Sequence, residues 1–171
     1  AEMQRPVEIE FACNINPDKS GDFYLLQIRP MVDNRMQLDE NLADIPDEQC
    51  LLRSHNAIGH GIITDICDIV YVKTSEKAHY TPGWNPQIAE EVERINRTLL
   101  QEDRKCILIG PGRWGSSDPW LGIPVKWPNI SSAQVIVEAG LANFQVDPSQ
   151  GTHFFQNLTS LGVGYLTINA F

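Results

Sequence analysis

His153 has surroundings that suggest chemistry. A small polar residue, Thr152, precedes the imidazole, about two apolar helical turns follow, and Leu161-Gly162-Val163 leads on into a strand. This order places His153 in the first turn of a helix, where free backbone N–H groups and the helix dipole favour an anion. An imidazole held there can meet a bound anion. The same spacing also suits a histidine that packs and does nothing else.

A second candidate is the stretch CILIGPGRWGSSDPW, residues 106–120. Gly110, Gly112 and Gly115 have the spacing of a dinucleotide-binding loop directly after an apolar strand. That loop requires a helix opening at the glycines, so that its N-terminus meets the pyrophosphate. Ser116-Ser117-Asp118-Pro119 followed by Gly122-Ile123-Pro124 disfavours such a helix, and no Gly-Lys-Ser/Thr follows to make a P-loop. Two readings remain open. The segment is a surface loop anchored by Trp114 and Trp120, or it is an anion cradle in which successive backbone N–H groups act with Arg113. Pairing of Arg113 with Asp118 is equally open.

The totals limit what else the chain does. Its 171 residues suffice for one good core, or for one domain with part of another. A formal charge of −9 argues against nucleic acid or an anionic membrane as the main partner. No apolar run approaches the length of a membrane span, and the opening AEMQRPVEIE lacks signal-peptide character. Because it does not begin with Met, we expect a piece of a longer protein. Cys13, Cys50, Cys67 and Cys106 form no CxxC pair, which points to free thiols in a reducing, cytoplasmic compartment. The histidines at 55, 60, 79 and 153 lack metal-site spacing, so nothing asks for zinc. The sequon at Asn96 falls in the middle of a predicted helix and is discounted, as are those at Asn129 and Asn157.

The elements that would position these groups follow from the hydrophobic pattern. VEIEFACNI and FYLLQIRPM alternate like strands around the turn formers NPDKSGD, predicting a hairpin over 7–31. An acidic connector follows. NAIGHGIITDICDIVYVK holds one or two strands, and WNPQIAEEVERINRTLLQEDRK is the clearest helix. Asn85 is its expected cap, Pro86 suits its first turn, and Ile88, Val92, Ile95 and Leu99 mark its apolar face. CILIG and AQVIVEAG are buried strands, and a helix at 149–160 and a strand at 163–168 close the chain. Strands alternating with helices predict an α/β or α+β domain.

The hairpin also carries a family likeness. EIEFA followed by LLQIRP resembles the end of the ATP-grasp nucleotide-binding domain of phosphoenolpyruvate synthase and pyruvate phosphate dikinase, over some 25 residues. The resemblance implies a Mg²⁺ ligand at Glu10, ATP contacts at Gln27, and at Arg29 a catalytic guanidinium meeting the charge of the transferring phosphoryl group. It requires these three to share a sheet face, which the parity of Gln27 and Arg29 allows. It also implies ATP and Mg²⁺ as cofactors, the remaining ATP-grasp domain as partner, and no activity in this piece alone. On this reading residues 1–35 end the ATP-grasp domain, 36–47 are an acidic linker, and 48–171 form a compact swivelling-type α/β domain.

In that family the next domain carries a phosphohistidine. AQVIV at 133–137, Thr152-His153, Leu161-Gly162-Val163 and TPGWNP at 81–86 resemble its segments. A catalytic His153 is what this likeness implies. The paired glycines before the family's histidine are absent here, residues 138–150 look inserted, and Thr159 stands where an arginine is expected. The alternative is a non-catalytic ligand-binding or regulatory module, with the loop around Arg113 as its surface. A domain that mediates homo-oligomer contacts is the blandest reading.

Overall fold

The computed structural model describes residues 7–30, 45–58, 61–74, 80–141, 149, 154, 158 and 161–168. The chain is a mixed α/β protein that divides into two compact units, Ala1–Asp33 and Asn34–Phe171.

The first unit is the expected hairpin. β1 (Val7–Ile15) and β2 (Gly21–Pro30) pair antiparallel. Their connection is closed by Asn16 N–H to Ser20 O at 2.8 Å and Lys19 N–H to Asn16 O at 2.9 Å. Lys19 sits in the left-handed region at φ 66°. Asp18 accepts from both the N–H and the hydroxyl of Ser20, which lowers its carboxyl below the usual range. Glu10 lies opposite Gln27 but Phe11 lies opposite Leu25, so Leu26 is an extra residue and the pair contains a bulge. Beyond it Phe11 stacks on Phe23 with ring centroids 4.9 Å apart.

The second unit is built on five strands in the order β3-β9-β8-β5-β4. They are β3 (Asn56–Ile58), β4 (Asp68–Tyr71), β5 (Cys106–Pro111), β8 (Ala133–Ala139) and β9 (Gly164–Ile168). β4, β5, β8 and β9 run parallel, and β3 joins β9 antiparallel at one edge. The central strands read as nearly continuous apolar runs because parallel strands are covered on both faces. A smaller pair, β6 (Arg113–Trp114) and β7 (Gly122–Ile123), runs parallel within the glycine-rich region.

α1 (Asn85–Gln101) carries the chain from β4 to β5. Val92 and Leu99 are buried against Cys106, Leu108, Ile130 and Ile136, with Ile88 and Ile95 packed at the margin as the spacing requires. Asn96, on the same helix, is 3% exposed. Its amide donates to Pro128 O at 3.1 Å and accepts from Ser132 N–H at 2.9 Å, tying the helix to the approach to β8. The helix closes with Asp103 at φ 52° and Arg104 N–H returning to Leu99 O at 2.8 Å.

One expectation about α1 is corrected. Trp84, not Asn85, occupies the cap position, and no side chain caps the helix. Asn85 lies inside the first turn, where its amide is fully buried and employed elsewhere: it accepts from Tyr80 OH at 3.0 Å and donates to Pro119 O at 2.7 Å.

Candidate functional site

The hairpin places Glu10 and Gln27 directly opposite one another, as a cross-strand pair on one face. Arg29 lies two residues beyond Gln27 at the same parity, opposite Glu8. Its side chain lies outside the described ones. Glu10 and Gln27 are both exposed, and each already takes part in an interaction. A carboxylate beside an amide oxygen suits Mg²⁺, which prefers hard oxygen ligands and usually binds proteins through one or two carboxylates with phosphate and water filling the remainder. The described residues hold no group of three or more His, Cys, Asp or Glu that would enclose a metal by themselves.

The glycine-rich region is not a dinucleotide loop. After β5 comes the β6/β7 pair instead of a helix, as the prolines and serines predict. Its backbone donors are also already engaged. Gly112 N–H bonds Ala139 O at 3.0 Å, Arg113 N–H bonds Leu121 O at 3.0 Å, and Gly115 N–H bonds Ile123 O at 2.9 Å. Trp114 N–H bonds Glu138 Oε1 at 2.9 Å. The expected cradle of successive N–H groups is therefore taken up by the fold at 112–115. Arg113 itself is half-buried and takes part in an interaction within the chain.

What the pattern did not reveal is a buried carboxylate behind this turn. Glu138, 4% exposed, stands near the carboxyl end of β8. One oxygen receives Trp114 N–H and the Ser149 hydroxyl; the other receives Ser149 N–H at 2.9 Å and Tyr165 OH at 2.5 Å. Two donors on each oxygen saturate it, so Glu138 clamps β6, Ser149 and β9 together and is not a waiting general base. Burial pushes the Tyr165 phenol well above its ordinary value, and the charge of Glu138 pushes it further; Arg113 acts weakly the other way. The indole of Trp114 lies buried beside this group with Nε1–H bonded to Val137 O at 3.1 Å. The available signal was a single acid in the apolar run AQVIVEA.

His153 lies outside the described residues, but the structure describes residues on either side. Ser149 is held by Glu138 as above. Phe154 and Leu158 are helical, four apart. Phe154 rests against Gly115, whose backbone has φ +78° and where an added Cβ would come 2.4 Å from the Phe154 ring. Leu158 O receives Leu161 N–H at 3.1 Å and Val163 N–H at 3.0 Å, with Gly162 at φ 71°. This is a glycine-terminated helix end, at the Leu161-Gly162-Val163 position read from the sequence.

The four cysteines are free thiols, and burial raises the Cys106 thiol above its usual range. No helix of the described residues is long and apolar enough to cross a membrane. Comparison of the chain with protein-family models, curated proteins and solved structures finds no match.

Proposed function

We propose that this chain is part of an ATP-dependent phosphotransferase similar to phosphoenolpyruvate synthase and pyruvate phosphate dikinase. The observation that carries the reading is the register of the hairpin, which sets Glu10 opposite Gln27 and keeps Arg29 in step with them. Bound Mg²⁺ would supply neutralising charge to the phosphates of ATP. Glu10 would hold that ion, Gln27 would donate its amide N–H to a phosphate oxygen, and Arg29 would meet charge on the transferring group. His153 is the proposed phosphoryl carrier. The support for it is the helix end at Leu158–Val163 and the anchoring of Ser149 and Phe154 on either side.

Residues outside this chain would complete the nucleotide site, so the test belongs in the complete protein. Glu10→Gln should raise the Mg²⁺ concentration needed for half-maximal ATP consumption about tenfold, equivalent to roughly 1.4 kcal/mol, with unchanged circular dichroism. An unaltered Mg²⁺ dependence would remove Glu10 from the metal site. The second reading, a non-catalytic binding module in residues 48–171, is favoured by a separate observation, a pair of exposed tryptophans beside the α1 N-terminus.

A further inference from the structure

Among the described strands, β4 closes one edge of the five-stranded sheet and pairs with β5 alone. Asp68 N–H bonds Lys105 O at 3.1 Å and Val72 N–H bonds Ile109 O at 3.0 Å, so the even-numbered residues turn their backbone groups inward to β5. In a parallel ladder the alternate residues turn N–H and C=O the other way. Ile69 and Tyr71 therefore present both groups at the open edge, with no partner among the described residues. Their side chains share the sheet face opposite that of Val70 and Val72, which pack against the core that holds Val92 and Leu99 of α1. Ile69 is 51% exposed and Tyr71 is 55% exposed. β-Branched and aromatic residues are the types that a neighbouring strand stabilises best. Natural sheets blunt an open edge with proline, a bulge or an inward-pointing charge. Ile69-Val70-Tyr71-Val72 contains no proline and no charge, and β4 pairs with β5 without a register shift.

We propose that β4 is the interface between two copies of this chain, paired antiparallel about a two-fold axis at Val70. The distribution of charge along the strand selects this occupant. Around its start, Asp65, Asp68, Glu102 and Asp103 gather about Arg104 and Lys105 and leave net negative charge. Its far end carries the exposed Lys73. Antiparallel pairing sets the acidic end of each copy beside the lysine end of the other, whereas parallel addition aligns like with like. The register is self-complementary as well. With Val70 on the axis, Ile69 lies opposite Tyr71 of the second copy and Tyr71 opposite its Ile69, an aromatic and β-branched pair on each side. The same residues carry the outward N–H and C=O groups, so each pair exchanges both of its backbone hydrogen bonds. A slip by one residue would oppose side chains of opposite faces. A slip by two would set Ile69 against Lys73 or Tyr71 against Cys67. The pairing joins the two five-stranded sheets into one and, being isologous, leaves neither β4 edge open. This inference is independent of the phosphotransfer reading.

The test is sedimentation velocity of the complete protein over a range of concentrations, where a reversible monomer–dimer equilibrium is expected. Ile69→Lys and Tyr71→Lys should each raise the dimer dissociation constant about tenfold. Circular dichroism should remain that of the wild type, because both side chains already stand half in water. Combining Ile69→Lys with Tyr71→Glu in one chain should restore the dimer, since the register sets the two new charges opposite each other on both sides of the axis. A monomer at every concentration would overturn the proposal. So would a dimer that both lysine variants leave intact, or one that the combined variant fails to restore. A monomer that instead takes up an unrelated extended peptide along β4 would assign the edge to another partner and equally overturn it.

Discussion

Tyr165 shows how one side chain is fixed by two kinds of force at once. It is fully buried, and its hydroxyl donates to a carboxylate that three other donors also hold. Tyr165→Phe should cost about 1.5–3 kcal/mol in a denaturant titration at neutral pH, the usual worth of a hydrogen bond to a charged group. The pH dependence has a definite sign. The folded phenol keeps its proton above the unfolded value near 10, where the unfolded chain releases it. The native state then binds more protons than the unfolded one, so stability falls as pH rises beyond about 10. Tyr165→Phe should remove that contribution, and an unchanged alkaline slope would contradict it. Gly122 makes a sharper case, since a Cβ there would lie 1.8 Å from the Arg113 carbonyl oxygen. Gly122→Ala should unpair β6 from β7 and lower the melting temperature markedly; a wild-type melting curve would show that the turn gives way easily. At this scale the sequence was informative about types and silent about partners. AQVIVEA showed an acid in an apolar run, but the donors that satisfy Glu138 come from residues 114, 149 and 165, joined only by the fold.

Among the elements, α1 was the most legible because its apolar residues repeat at helical spacing over 17 residues. Leu99 is 6% exposed within the core, so Leu99→Ala should cost about 2–5 kcal/mol, read as a shift in the denaturation midpoint without a change in slope. Asn85 departs from the cap role that its position suggests for a physical reason. Asparagine before a proline at a helix start suits a cap, but burial of its amide is decided by Pro119, 34 positions later. The hairpin was equally legible from alternation and turn formers. Its bulge was not, because a parity argument assumes an unbroken ladder and Leu26 interrupts it. The bulge lies just past Glu10 and Gln27, so the pairing that matters for the proposed site survives it. The helix end at Leu158–Val163 was readable because glycine is the residue that turns a helix off in this way.

For the molecule as a whole, the α/β class followed from the order of apolar runs, while strand order did not. Parallel neighbours β5 and β8 are separated by the β6/β7 excursion, which no periodicity announces. The hairpin unit exposes Phe11, Ile15, Phe23 and Leu26, among other apolar side chains. Two strands alone are marginal in water, which fits the proposal that this unit is the margin of a larger sheet. The central claim is that this margin takes part in phosphoryl transfer, and the most direct test is the rate of ATP consumption by the complete protein carrying Arg29→Ala. Loss of a guanidinium that acts on the transferring group should lower kcat by about a hundredfold, roughly 2.7 kcal/mol, with little change in KM. Turnover equal to that of the wild type would contradict the account.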